Sequence, residues 1–263
     1  MPNAPADLAP QLANIRSFWL GYGVEDRADG NLVLYRSGIG DDELNGVLRL
    51  PHGDPAGPLR EAARRLAGVP WRIWAGPDSD PGLAAALLAA GAAELPSDPV
   101  MTMSLDQAAP AHPAPPGLDI AELTGPDGLA EWVHCYGPSL GVPQEALAAQ
   151  LTVERRRLDP PGTLIRFTGR VGGRLAGTAA LLGRHGVAGL YVITVMPEFR
   201  RRGIGTALTS AALAAARDRG LTVATLHATP DGEPVYRRMG FTEVARYRYF
   251  SPPPLPRLAE PEF

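Results

Sequence analysis

Residues 190–208 constrain the fold of this 263-residue chain more than any other stretch. An apolar run, Leu190 to Val195, leads through Met196-Pro197-Glu198-Phe199 into the basic loop Arg200-Arg201-Arg202-Gly203-Ile204-Gly205. Small residues from Thr206 onward then carry a helical pattern. Strand, loop and helix in that order form one βα unit. A row of backbone N–H groups, a helix N-terminus and three arginines converge there, and a diphosphate is the guest that matches them. Glycine at 203 and 205 lets the main chain approach such a guest without an intervening Cβ.

Bulk properties narrow the classes. The length leaves room for one large domain or two small ones with an ample core. A net charge of -3 argues against nucleic acid or an anionic membrane as the main partner. No apolar run approaches the ~20 residues of a membrane span. The start, Met1 to Asp7, lacks the basic opening and apolar core of a signal peptide, so a cytoplasmic protein is expected. Cys135 stands alone, and the five histidines fall at 52, 112, 134, 185 and 227 without metal-ligand spacing, so no disulfide and no metal are expected. All 25 basic residues are arginine, so no lysine side chain forms a Schiff base or accepts an acyl group.

The stretch Ala108-Ala109-Pro110-Ala111-His112-Pro113-Ala114-Pro115-Pro116-Gly117 reads as an extended linker, and Ser251 begins a Pro-rich tail. The expected organisation is a first domain over 1–106, a linker over 107–117, a second domain over 118–250 and a tail over 251–263. In the second part, helices are expected over Gly125 to Tyr136, Pro143 to Leu158, Thr206 to Arg219 and Pro234 to Met239. Strands are expected over Thr163 to Val171, Arg174 to Leu182, Val187 to Val195, Leu221 to Thr229 and Phe241 to Phe250, with Gly172-Gly173 as a hairpin turn. The first part repeats this order more faintly. Helices fall at Pro10 to Leu20, Pro58 to Leu66 and Pro81 to Ala90, and strands at Leu32 to Tyr35, Leu44 to Leu50, Trp71 to Ala75 and Pro99 to Leu105. One piece differs: Pro51-His52-Gly53-Asp54-Pro55-Ala56-Gly57 stands where the basic glycine loop belongs, with acid in place of base.

Arg200-Arg201-Arg202-Gly203-Ile204-Gly205 resembles the Arg/Gln-x-x-Gly-x-Gly/Ala loop of the GNAT superfamily of N-acetyltransferases. A second block, Leu226-His227-Ala228-Thr229-Pro230-x-Gly232-x-Pro234-Val235-Tyr236-x-x-x-Gly240-Phe241, is similar to that family's second cofactor segment. The resemblance covers roughly Leu118 to Phe250, with a degenerate copy before it. It implies an α/β fold of two GNAT-like domains, each a mixed, mostly antiparallel central sheet flanked by helices. A tandem arrangement also occurs in mycothiol synthases, which this chain resembles in architecture, with no motif that singles out their acceptor.

The resemblance further implies acetyl-CoA as co-substrate. Backbone groups of Ile193, Thr194 and Val195 would pair with its pantetheine arm, and Arg200, Arg201, Arg202, Gly203, Ile204, Gly205 and Thr206 would surround its pyrophosphate. Thr229 would replace an asparagine common in the family's second block. Tyr236 stands where relatives carry the acid that protonates the departing sulfur, with a core tyrosine between helix and sheet as the lesser alternative. For the base, His227 lies on the strand where several relatives carry a glutamate; Glu131 and Glu198 are alternatives, and a histidine satisfied within its sheet is the plainer reading. The acceptor is expected to be a small-molecule or peptide amine, with oligomeric state open. The rival function is a non-catalytic acyl-CoA-binding sensor or interaction module.

Overall fold

Helices and strands alternate in two similar blocks, and the helices lie on both faces of the strands between them. The structure, a computed structural model, describes residues 7–106, 114–140 and 142–254. In the first half run α1 (Leu8–Leu20), β1 (Asp26–Asp29), β2 (Val33–Arg36), β3 (Asn45–Arg49), α2 (Ala56–Arg65), β4 (Arg72–Ala75), α3 (Leu83–Ala89) and β5 (Glu94–Ser104). In the second half run β6 (Leu118–Glu122), α4 (Leu129–Tyr136), α5 (Leu147–Arg156), β7 (Leu164–Val171), β8 (Arg174–Arg184), β9 (Val187–Val195), α6 (Ile204–Asp218), β10 (Val223–His227), α7 (Glu233–Arg238) and β11 (Thr242–Phe250). Most of the expected linker, 107–113, and the end of the expected tail, 255–263, lie outside the described residues, as do residues 1–6 of the start.

The two expected sheets are one. Among the described residues, all eleven strands form a single sheet in the order β1-β2-β3-β4-β11-β5-β10-β9-β8-β7-β6. Three antiparallel strands in the first half and four in the second lead into a parallel pair, β3 with β4 and β9 with β10, and α2 or α6 makes the crossover. The last strand of each half then sits in the other half's territory. β5 lies between β10 and β11, and β11 lies between β5 and β4. The expected boundary at 107–117 is therefore not a boundary in the sheet.

Side-chain alternation explains why the exchange holds. On one face of β5, Met101 and Met103 join the core formed under α6 and α7 by Leu190, Leu208, Leu226 and Phe241. At the end of β11, Phe250, 0% exposed, enters the core under α2 and α3 with Leu34, Leu59, Ile73 and Leu87. A third core on the opposite face mixes α1, α4 and α5 with β8, β9, Trp74 and Tyr247. α1 belongs to the first half by sequence yet packs on the second half's strands. Phe18 stacks on Tyr191 with ring centroids 3.7 Å apart, and Asn14 Nδ2 donates to the Leu182 carbonyl at 2.9 Å while accepting from Tyr191 Oη at 2.7 Å on its Oδ1.

Local differences from the sequence reading have simple causes. β1 (Asp-Arg-Ala-Asp) and β6 (Leu-Asp-Ile-Ala-Glu) are short strands at the two edges, too polar to show a buried face. The helix expected from Gly125 begins only at Leu129, because Gly125 is in the left-handed region at φ 76°. The helix expected from Pro143 opens with a 3-10 turn at Gln144–Ala146 and becomes regular at Leu147. Gly172 and Gly173 both take positive φ, 58° and 78°, as a tight two-residue hairpin requires.

Candidate active site

β9 and β10 pair in parallel only as far as Leu190 and Leu226. Beyond that point β9 stays with β8, whereas β10 stays with β5 through His227 opposite Val100. The two central strands open into a wedge at their C-terminal ends, the end of a parallel pair where ligands bind in α/β sheets. A register shift between Thr178 and Ala180 marks a bulge in β9, and Val192 is held there at φ 52°. That is an unusual conformation for a β-branched residue. Thr178 secures it from the neighbouring strand: its Oγ1 donates to the Val192 carbonyl at 2.9 Å and lies 2.9 Å from Thr194 Oγ1.

Past the bulge, the Met196 N–H donates to the Ala176 carbonyl of β8. By the alternation of an antiparallel strand, the backbone groups of Thr194 also turn to β8, and those of Ile193 and Val195 turn to the opened side. The Val195 carbonyl accepts from Arg200 Nε at 3.2 Å, which folds the first arginine of the loop back on the strand end. Arg201 stands at φ 64° and Gly203 at φ 78°, so the loop curls tightly before α6. Among the described residues no side chain caps α6, and the first helical bond is from the Ala207 N–H to the Gly203 carbonyl. The N–H groups of Ile204, Gly205 and Thr206 thus precede the helix's own hydrogen bonding. A Cβ built on Gly205 would meet Val195 Cγ2 at 3.5 Å, an ordinary van der Waals contact. Arg201 and Arg202 are exposed and have no ion-pair partner among the described residues; Arg202 lies 5.6 Å from the Phe199 ring. The corresponding loop of the first half is closed by its own acid. There the Gly53 N–H donates to Asp80 Oδ2 at 3.1 Å.

A cavity of about 160 Å³ occupies the wedge and continues into the first half. Its second-half wall holds Val192, Ile193, His227, Thr229 and Tyr236. Tyr236, 9% exposed on α7, packs edge-on to Phe241 at 5.8 Å, and burial pushes its hydroxyl up to about 12. It therefore stays protonated across the working range. His227 lies 5.6 Å from the Trp74 ring and 5.2 Å from the Tyr247 ring, with its buried Nε2 unpartnered among the described residues. Burial among these rings pushes its imidazole down to about 4, so it is neutral near pH 7. Thr229 opens the turn into α7, accepting the Gly232 and Glu233 N–H groups on its carbonyl at 2.9 Å. The alternative bases lie elsewhere: Glu131 pairs with Arg170 at 2.6 Å and Glu198 with Arg174 at 3.1 Å, and neither lines the cavity. Cys135 is buried, and burial pushes its thiol up to about 12, which makes it inert at neutral pH.

The first-half wall was not foreseen in the sequence. It carries Asp41, Glu43, Arg72, Trp74 and Asp98, with Gln150 and Tyr249 beside them. The run Asp41-Asp42-Glu43 before β3 and the lone Trp74 in a strand were the available signals. Among the described residues no group of three or more His, Cys, Asp or Glu could hold a metal ion, and no helix is long and apolar enough to cross a membrane.

An opened parallel strand pair, a glycine loop leading into a helix N-terminus and a tyrosine on the cavity wall all lie in the second half of the chain. The acetyltransferase (GNAT) family model matches residues 128–241, the segment that contains all of these features. The mycothiol acetyltransferase of Clavibacter michiganensis subsp. michiganensis is 30% identical over 240 residues, covering 85% of this chain and 76% of that protein. The chain belongs to the GNAT family of acetyltransferases. The same fold occurs in a GCN5-related N-acetyltransferase from Kribbella flavida, with a TM-score of 0.67 and 21% identity over 94% of this chain and 97% of that one. It occurs also in a tandem GNAT protein from the clavulanic acid biosynthesis pathway, with a TM-score of 0.62 and 16% identity over 98% of this chain and 99% of that one.

Proposed function

We propose that the chain transfers an acetyl group from acetyl-CoA to the primary amine of a small molecule. The observation that carries this reading is the wedge between β9 and β10, whose cavity is lined by Tyr236 and His227 and whose strand β9 runs on into the glycine loop. The residues present fit the cofactor. Ile193 and Val195 offer strand-edge backbone groups to an amide-bearing arm, and Arg201 to Thr206 offer N–H groups and guanidinium charge to a pyrophosphate. Acetyl-CoA supplies, when bound, an activated thioester and a thiolate leaving group.

The chain's own groups would act around it. Tyr236 holds a proton at its hydroxyl, which burial keeps there, and would be the group placed to give that proton to a leaving sulfur. The N–H groups of Ile193 and Val195, which strand alternation past the bulge turns to the opened side, would favour negative charge on an oxygen there. His227, neutral and with Nε2 unpartnered, offers one hydrogen bond to an incoming group; with its pKa near 4 it is a weak proton store. The relatives named mycothiol acetyltransferase support an acceptor related to mycothiol within this reading. We assign residues 1–106 and 118–250 as two GNAT-like halves, of which only the second binds the cofactor; the acid-filled Gly53 loop supports this.

Thermal unfolding with and without acetyl-CoA, with NAD as control, tests the reading. Ligand at 100 times its dissociation constant adds ~2.7 kcal/mol, a rise of several degrees in the midpoint. No shift at millimolar acetyl-CoA refutes it. Tyr236→Phe should lower kcat by tenfold or more while leaving the acetyl-CoA shift intact, and an unchanged kcat removes the acid role.

A further inference from the structure

Five residues on the cavity wall carry a buried polar atom with no hydrogen-bond partner among the described residues: Trp19 Nε1, Arg72 Nε, Trp74 Nε1, Gln150 Oε1 and His227 Nε2. Buried polar atoms are nearly always partnered, so a concentration of orphans around one cavity marks a place built for a polar guest. Gln150 is only 1% exposed, and its Nε2 is committed to Tyr136 Oη at 2.5 Å, which leaves Oε1 as an acceptor.

Charge on the same wall selects the sign of that guest. Asp41, Glu43 and Asp98 line the cavity against one guanidinium, Arg72, and Arg72 is already held by Asp42 at 2.7 Å. Burial raises the pKa of both Glu43 and Asp98, with Arg72 acting in the opposite direction on each. Neighbouring acids raise Glu43 further, and Tyr249 hydrogen-bonds Asp98. Burial thus makes each of these carboxylates costly to keep charged without a cation beside it. Aromatic faces stand beside them: Trp74 lies 5.4 Å from Trp19 and 4.9 Å from Tyr249, centroid to centroid. Carboxylates next to aromatic faces are the surroundings an organic ammonium favours.

We propose that the first half of the chain builds the acceptor site, in which Glu43 and Asp98 receive the ammonium form of a compact cationic amine against the Trp74 and Tyr249 rings. This rests on the transferase reading for its meaning but not for its test. The acceptor class it selects carries net positive charge, which disfavours amines that bear their own carboxylate. Gln150 Oε1 and the two tryptophan N–H groups would then serve the acceptor's remaining polar atoms.

Calorimetric titration of the full chain with benzylamine, and with benzyl alcohol as its uncharged counterpart, tests the proposal. Benzylamine should bind at least tenfold tighter than benzyl alcohol. The double variant Glu43→Gln, Asp98→Asn should lose that preference, and Glu43→Gln alone should lose part of it. An acetyl-CoA titration in parallel reports that each variant is folded and should give an unchanged dissociation constant. Equal binding of the two probes, no benzylamine binding at millimolar concentration, or a double variant that keeps the preference would overturn the proposal. Absence of acetyl-CoA binding with the benzylamine preference intact would instead remove the transferase reading and leave the cation site standing.

Discussion

Replacing His227 with glutamine should flatten the acid limb of the protein's stability profile, and the size of the effect follows from where the ring sits. An unfolded histidine titrates at 6.5, whereas burial beside Trp74 and Tyr247 pushes His227 down to about 4. Between those values the unfolded chain binds a proton that the folded chain refuses. Stability must therefore fall as pH drops from 6.5 toward 4. At ~1.36 kcal/mol per unit, the loss is ~2 kcal/mol between pH 8 and pH 5 and approaches ~3 kcal/mol below pH 4. Glu43 and Asp98 have raised pKa values and act with the opposite sign, gaining stability as they protonate, but they are common to both proteins and cancel in the difference. Urea unfolding of the native chain and of His227→Gln at pH 8 and pH 5 gives four free energies. The native chain should lose ~2 kcal/mol more than the variant over that interval. Equal losses would show that the imidazole is reached by water and titrates normally, and the account of His227 as a neutral, desolvated group would fall.

Phe250→Ala should cost ~3–4 kcal/mol in urea unfolding, because a fully buried ring leaves the first half's core and little there can collapse onto the space. Glu154→Ala should cost ~3–5 kcal/mol, since it strands Arg166 at 2.6 Å and the Tyr22 and Tyr136 hydroxyls at 2.8 and 3.0 Å; Glu154→Gln, which keeps an acceptor, should cost less. Gly203→Ala puts a side chain at φ 78° and should destabilise by ~1 kcal/mol, with a larger proportional loss in acetyl-CoA affinity measured by calorimetry. Residues 114–254 expressed alone should fail to unfold cooperatively, and adding a separately produced 1–106 segment should restore a cooperative transition; a cooperative melt of the 114–254 piece alone would show that β5 is dispensable to it.

Where a segment's own residues determined its structure, the sequence was legible. β9 begins and ends where the apolar run from Val187 to Val195 does, and the turn at Gly172-Gly173 needs only the conformational freedom of those two residues. The same holds for the glycine loop, whose approach to a strand end and a helix start is a local matter. Pairing between distant strands leaves no such trace. Nothing in Glu94–Ser104 states that its Met101 will lie opposite Leu226 of β10 rather than beside β4, because an alternating strand fits any sheet with an apolar face on each side. The acceptor wall was hidden for a related reason. Glu43, Arg72 with Trp74 on β4, Asp98 and Gln150 come from four separate places in the chain and form no motif until the fold gathers them.

The strand exchange and the acceptor wall are one arrangement seen twice. Trp74 on β4 lies in register with Tyr249 on β11, and Asp98 on β5 lies in register with Tyr247 on β11. Had each half kept its own last strand, β4 would border β5 and β10 would border β11. Trp74 would then have lost Tyr249, and His227, which faces Val100 of β5 in the sheet, would have lost the neighbour that sets its height. Crossing the last strands brings Asp98 of β5 and Tyr249 of β11 onto the same cavity as Glu43 and Trp74, beside the wedge between β9 and β10. A half that has filled its own glycine loop with acid thus retains a second task, because the floor and the acceptor side of the other half's cavity are made from it. That dependence explains why a change such as Asp98→Asn, more than 90 residues from the glycine loop in sequence, is expected to alter acceptor binding without disturbing the cofactor end.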